Sequence, residues 1–265
     1  MLPKQWDMHV HLDFMRNAEE IVHSAADLGL GLFAVTVTPQ GFLRIGEKLR
    51  NSRNLCLCAG LHPWWVADGR CGQDDAELTA ALVKTTRFVG EIGLDASPKH
   101  VPEGSLDRQA AAFETICTAC AQTSTPSEPK VLSIHSVKAA SLTLDILEKT
   151  GCLESCRCIF HWFTGSGEEL NRAVKAGCFF SINEMMLRTR RGRDYARQIP
   201  AKALLLETDL PPGEDIPFSA DNILNSMKTV LTDLNTIRNA NTEDTILVNS
   251  ERILGLNGTS AIPKA

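Results

Sequence analysis

The chain has 265 residues, of which 43% are hydrophobic and 22% charged, with a formal net charge of −5. That length is enough for one large core. No apolar run approaches the roughly 18 residues a membrane span needs, and the acidic balance argues against a broadly basic protein that coats nucleic acid.

In chain order, the stretch Trp6 to Asp13 reads as a β-strand leading out of Met1-Leu2-Pro3-Lys4-Gln5, which has no signal-peptide hydrophobic region. Ala18 to Leu28 is an amphipathic helix closed by Gly29, and Leu32 to Val37 is a β-branched strand stopped at Thr38-Pro39. Gly41 to Arg50 has helical spacing, and Leu55 to Leu61 is a third buried strand. A helix over Asp74 to Thr86 precedes a strand over Arg87 to Ile92. Leu106 to Ala121 is a long helix, followed by the Ser/Thr/Pro-rich loop Thr123 to Pro129.

The alternation then continues with strand Lys130 to Ile134, helix Ala139 to Lys149, strand Arg157 to Phe160 and helix Gly167 to Ala176. Cys178 to Ile182 is a seventh strand, with a short helix from Asp194 to Gln198, and Ala203 to Glu207 is an eighth. Two helices, Asp221 to Ile237 and Thr242 to Leu254, close the chain, and residues 257–265 read as a polar tail. Continuous apolar strands separated by helices predict a parallel sheet buried on both faces. Eight such units predict an α/β fold, a (β/α)8 TIM barrel, as one domain over residues 1–256. An open doubly wound sheet is the rival, but it would carry a glycine-rich turn after its first strand.

The nine cysteines sit mostly inside apolar stretches. Cys156 and Cys158 suggest a thiolate site, but no second pair follows at zinc-ribbon spacing. Reduced thiols in the cytoplasm are the expectation.

In such barrels the chemistry sits at the C-terminal ends of the strands. The first strand ends with His9 and His11, which share a face because positions i and i+2 point the same way. The third ends with His62, the fourth with Glu91, the fifth with His135, the sixth with His161 and the eighth with Asp209. Of the seven histidines, only His23 on a helix and His100 in a loop lie elsewhere. Each alone has an ordinary reading as a capped or solvated residue, but together they converge on one ring. A histidine and carboxylate set without cysteine suits zinc, manganese, iron or nickel, with magnesium possible where oxygen dominates. A carboxylate such as Glu91 can bridge two ions about 3.5–4 Å apart, the arrangement of two-metal hydrolases, and acidify a water nucleophile. Asp209 is placed to ligate and to accept that water's proton.

The motifs His9-Val10-His11-Leu12-Asp13, Gly60-Leu61-His62-Pro63, Gly90 to Asp95, Ile134-His135-Ser136, His161 to Gly165 and Glu207 to Pro211 occur in one order across the chain. This set resembles the TatD-type metal-dependent deoxyribonucleases of the amidohydrolase superfamily, and Val248 to Leu254 resembles their closing helix. The resemblance implies one ion on His9, His11, Glu91 and Asp209, and a second on Glu91, His135 and His161. It also implies that His62 contacts the scissile phosphate or assists the reaction. The chain departs from the family where substrate is gripped, with Ala96 in place of the usual tyrosine and Val137 in place of a basic residue. Asn183-Glu184-Met185-Met186 also lacks a customary glycine.

Two features are candidates to compensate. Arg188, Arg190, Arg191, Arg193 and Arg197 follow the seventh strand, and arginine forks suit phosphate, although a solvated charge run is as good a reading. Trp64 and Trp65 after His62 are candidates to stack nucleobases, or to pack as a lid on the barrel rim. The expected function is an ester-bond hydrolase of the deoxyribonuclease type, using one or two divalent ions (zinc, manganese or magnesium) on single strands or ends of DNA. It would be monomeric or weakly associating and not bound to membranes. The alternatives are a small-molecule amidohydrolase, lactonase or phosphoesterase, and a nuclease subunit whose substrate is chosen by partner proteins in a repair or defence complex.

Overall fold

Eight apolar stretches form parallel strands, and helices between them cover the outside. The structure, a computed structural model, describes residues 3–49, 52–213 and 218–256. Arg50, expected to end a helix, and the expected tail from Asn257 lie outside those residues. In order, the chain forms β1 (Gln5–Val10), α1 (Ala18–Asp27), β2 (Leu30–Ala34), α2 (Pro39–Leu49), β3 (Leu55–Leu57), α3 (Pro63–Ala67), α4 (Gln73–Leu82) and β4 (Phe88–Asp95). It continues with α5 (Leu106–Thr123), β5 (Val131–Val137), α6 (Ala140–Lys149), α7 (Cys152–Ser155), β6 (Arg157–His161), α8 (Gly167–Lys175) and β7 (Phe179–Ile182). Then come α9 (Glu184–Leu187), α10 (Arg190–Gln198), β8 (Leu204–Leu206), α11 (Ala220–Arg238) and α12 (Glu243–Leu254).

Strands β1 to β3 form one parallel sheet and β4 to β8 another, each in sequence order. Backbone hydrogen bonds cross both gaps between them. Gly90 N donates to Ala59 O at 3.0 Å on one side, and on the other Asp209 N donates to His9 O at 2.9 Å and His11 N to Leu210 O at 2.8 Å. The strands thus come round into the (β/α)8 barrel. Inside it, Trp6, Met8, Phe33, Phe88 and Ile159 fill one end and pack on Ile253 and Leu254 of α12. A larger apolar cluster lies between strands and helices.

Two glycines set the spacing at the functional end. A Cβ on Gly60 would lie 2.0 Å from Thr36 O and 2.4 Å from Gly90 O, so only glycine lets the ends of β2, β3 and β4 converge beneath Glu91. Gly93, at φ +139°, would place a Cβ 2.0 Å from His135 O; its absence draws β4 against β5 at His135. The strand expected over Leu32 to Val37 starts and ends earlier because its last residues leave the ladder. Thr36 N instead donates to Gly90 O across the short β3. Helices α3, α7 and α9 are additions to the expected set, each too short for periodicity to reveal. Among the described residues, no helix is long and apolar enough to cross a membrane, and all nine cysteines are buried free thiols.

Asp7 closes the seam between β8 and β1. Thr208 donates to it through its backbone N–H at 3.0 Å and its hydroxyl at 2.5 Å, and His9 N–H donates at 3.2 Å. Burial nevertheless pushes the Asp7 carboxyl up to about 7. Asp7→Ala is expected to lower stability by about 2–4 kcal/mol, since it strands buried donors at roughly 1–3 kcal/mol each. The shift of the urea midpoint measures this, and an unchanged midpoint would show that the clamp contributes nothing.

Candidate metal centre

Glu91 stands at the middle of the barrel's C-terminal end, 2% exposed, and its two oxygens face two separate groups of side chains. On one side, Oε2 lies 3.3 Å from His9 Nε2 and 3.4 Å from His11 Nε2. Asp209 Oδ1 completes this group at 3.6 and 3.4 Å from the same two nitrogens. On the other, Oε1 lies 2.7 Å from His135 Nδ1, 2.9 Å from His161 Nε2 and 3.2 Å from His62 Nε2. The strands explain the convergence. His9 projects inward from β1 and His11 from just past its end, and Asp209, at φ +57°, is held in a left-handed turn by its N–H donating to His9 O. Asp adopts that conformation at modest cost.

Groups on the far side of each ring set how the imidazoles are turned; His9 and His135 are hydrogen-bonded there, while His11 Nδ1 and His161 Nδ1 face carboxylates without a hydrogen bond. His9 Nδ1 is 2.8 Å from Ser133 Oγ, His135 Nε2 is 3.3 Å from Asp95 Oδ2, and His161 Nδ1 is 3.5 Å from Glu207 Oε1. His11 Nδ1 faces Asp13 Oδ1 at 3.6 Å, while Asp13 Oδ2 accepts from Val37 N–H at 3.1 Å and so holds the loop after β2. Glu207 is anchored by Ser181 and Asn183 of β7 and its end.

His135 and His161 each stand between two carboxylates, which only accept, and a neutral ring can donate to one of them, leaving a lone pair toward the other. Lone pair against carboxylate oxygen is repulsive unless a cation lies between. His9 Nε2 is buried, faces Glu91 Oε2 and Asp209 Oδ1, and makes no hydrogen bond. The residues present therefore fit divalent cations, and their imidazole and carboxylate chemistry is that of zinc, manganese or related ions.

Without such ions, protons fill the role. Burial is the largest influence on His11, His135 and His161 and disfavours their charge. The acidic oxygens around each outweigh it and raise all three above the ordinary histidine value. At His9 burial prevails and the pKa falls. Burial also opposes ionisation of Glu91, but the imidazoles of His62, His161 and His9 hold it well below the usual carboxylate range, and Asp209 is lowered in the same way.

His62 differs from the other four histidines of the centre. It caps α3, its Nδ1 accepting from Trp64 N–H at 3.1 Å, so the neutral ring carries its proton on Nε2. Burial lowers its pKa to about 4, which keeps it neutral near pH 7. Distance alone groups it with Glu91 and His135. Its lone pair is already used, however, and it presents an N–H donor instead.

The centre opens into a cavity of about 340 Å³. Trp64 and Trp65 both line it, as do Phe14 and Trp162. Trp64 Nε1 donates to Asp95 Oδ2 at 2.7 Å, and Arg70 stacks on Trp65 at 4.0 Å from the ring centroid. The five arginines after β7 are exposed on and beside α10 and are not among the lining residues. Arg188 pairs with Glu184, and Arg197 with Asp194. Sequence reasoning gave no role to Asp95, Glu207 or Ser133. The strand period of two was the available signal, since Asp95 shares a face with Glu91, Ser133 with His135 and Glu207 with Asp209.

Residues 6–255 match the family described as TatD related DNase. The human protein "Deoxyribonuclease TATDN3" is 25% identical over 222 residues, 77% of each chain. The Escherichia coli K12 protein "3'-5' ssDNA/RNA exonuclease TatD" is 26% identical over 214 residues, 78% of each chain. Among solved structures, the TatD homologue YjjV of Escherichia coli K12 superposes with a TM-score of 0.77 at 20% identity, covering 96% of this chain and 98% of its own.

Proposed function

The chain belongs to the TatD related DNase family, and from that premise we propose that it hydrolyses phosphodiester bonds of DNA at the centre built on Glu91. We read residues 1–256 as one hydrolase domain. The observation that carries the reading is the division of Glu91 between two sets of lone-pair donors, one oxygen to each. His9, His11, Glu91 and Asp209 would hold one divalent ion, and Glu91, His135 and His161 a second. Ions bound there supply positive charge to the phosphoryl oxygens and lower the pKa of a water.

Asp209, 23% exposed and at the cavity edge, accepts the proton of the attacking water. His62 turns its Nε2–H toward Glu91 Oε1 at 3.2 Å, and a phosphoryl oxygen beside that carboxylate would share the donor. Trp64 and Trp65 form the wall against which a base can lie, and Trp65 presents the freer ring because the Trp64 indole is tied to Asp95. Single strands and ends suit this narrow, aromatic cavity better than intact duplex. Arg188, Arg190 and Arg191 would meet only phosphates beyond the cleaved bond.

The test is metal-stripped protein with zinc, manganese or magnesium added back, assayed on a single-stranded oligonucleotide and its blunt duplex. Activity is expected to return with at least one cation and to favour the single strand. Asp209→Asn is expected to lower it by about 10²-fold, the lower end for loss of a general base. Equal activity of stripped and reloaded protein would remove the metal reading, and equal cleavage of both substrates the strand preference.

A further inference from the structure

His100 lies in the loop between β4 and α5, and neither the strand pattern nor the metal centre accounts for it. Its side chain is 39% exposed and lines the cavity. We propose that His100, oriented by Asp95, is the general acid that protonates the leaving-group oxygen; this rests on the reading of the chain as a phosphodiester hydrolase.

Among the described residues, no lysine or arginine lines the cavity, which leaves the histidines as the side chains suited to hand a proton to a departing alkoxide near neutral pH. His11, His135 and His161 point at Glu91 and Asp209. His62 is neutral, with one nitrogen bonded to Trp64 N–H and the other turned toward Glu91. His100 alone has a ring nitrogen outside the centre that reaches both cavity and solvent.

His100 is also held from behind, its Nδ1 2.8 Å from Asp95 Oδ2. Asp95 is itself buried and fixed, with Oδ1 accepting from Ser97 N–H at 2.7 Å and Oδ2 from Trp64 Nε1–H at 2.7 Å. Gln109 grips its backbone N–H and carbonyl at 2.8 and 2.9 Å. Trp64, Ser97 and His100 all turn N–H groups to this carboxylate, an arrangement that suits its ionised form. An ionised carboxylate only accepts, so His100 keeps its proton on Nδ1 and uses Nε2 for exchange. This is the division of labour in an Asp–His pair that serves an acid–base step. Asp95 is the positioning residue here. Its Oδ2 also faces His135 Nε2 at 3.3 Å, which places the pair beside the second set of imidazoles.

Asp209 follows β8 and His100 lies in the loop after β4, four strands apart in a ring of eight. In-line displacement needs the base and the acid on opposite sides of phosphorus. As the water oxygen bonds to phosphorus, Asp209 takes its proton. The bond from phosphorus to the leaving oxygen breaks, and that oxygen keeps the electron pair and takes the Nε2 proton of the His100 imidazolium. The exposed ring regains a proton from solvent.

The test compares two leaving groups on the full-length, metal-loaded protein. His100→Asn keeps an N–H toward Asp95 but has no acid. On a thymidine dinucleotide, whose alkoxide needs protonation, kcat is expected to fall about 10²-fold. On bis(4-nitrophenyl) phosphate, whose phenolate leaves unaided, it is expected to fall less than about threefold, since no proton transfer is then required. In metal-free protein, nitrogen NMR of labelled histidine is expected to show His100 protonated on Nδ1, and Asp95→Asn to abolish that preference. Equal losses on both substrates, no loss on either, or a ring protonated on Nε2 alone would overturn the assignment. Wild-type protein inert on both substrates would overturn the hydrolase reading and this role with it.

Discussion

Glu91→Gln is expected to empty both cation positions at once and to lower hydrolysis by about 10³-fold or more. A bound cation is worth several kcal/mol of transition-state charge stabilisation, and each 1.36 kcal/mol is about tenfold in rate. The substitution keeps the shape of the side chain and removes the charge that both sets of imidazoles face. Gln also presents an N–H toward one set, where a lone pair was needed. The loss should appear in metal content by mass spectrometry before it appears in rate, with the barrel intact by circular dichroism. A variant that keeps two ions per chain would show that Glu91 is not the shared ligand. A variant that keeps one would show that the sets are held independently, as Asp209 on one side alone allows.

Much of this centre was legible in the sequence because strand geometry is regular. His9 and His11 had to share a face, and residues at the ends of buried strands had to meet on one rim. What periodicity could not show was the contact between a loop and a strand. His100 reads as a loop residue, and only the fold brings its Nδ1 onto Asp95. The same limit hid α3, where Pro63 and the His62 cap start five helical residues that turn Trp64 and Trp65 into the cavity wall. The arginines after β7 form a charge run whose place periodicity leaves open. Thr189 caps α10, and Arg190, Arg191, Arg193 and Arg197 on that helix are exposed and outside the cavity lining. In β2, apolar character continued to Val37 after the ladder had ended, because those residues stay buried while bonding across to β4.

Cation loading is expected to tighten as pH rises, by up to about tenfold per pH unit for each proton displaced. The sign follows from the metal-free centre. His11, His135 and His161 are raised above the ordinary value, so each still holds a proton somewhat above pH 6.5. A ligand must offer a lone pair, so an entering ion has to displace those protons. One such imidazole on the first ion and two on the second make the limiting dependence about tenfold per unit for the first and about 10²-fold for the second, levelling off once pH passes their raised values. His62, lowered to about 4, and His9, also lowered, are already neutral near pH 7 and release nothing there.

The same protons stabilise the metal-free fold. Their contribution is complete below the unfolded histidine value of about 6.5 and is lost as pH rises through the higher folded values. Metal-free protein should therefore lose thermal stability as pH rises above about 6.5 and through those raised values, where loaded protein does not, since the ion then takes the place of the protons. Calorimetry in buffers of different ionisation enthalpy counts the protons released per ion, and melting curves across the same range give the second half. Ion binding with no proton release at pH 7 would mean that the lone pairs facing Glu91 were already free. The centre would then hold its carboxylates and imidazoles together without any cation, which the unpaired His9 Nε2 and the opposed lone pairs of His135 and His161 make the harder arrangement to sustain.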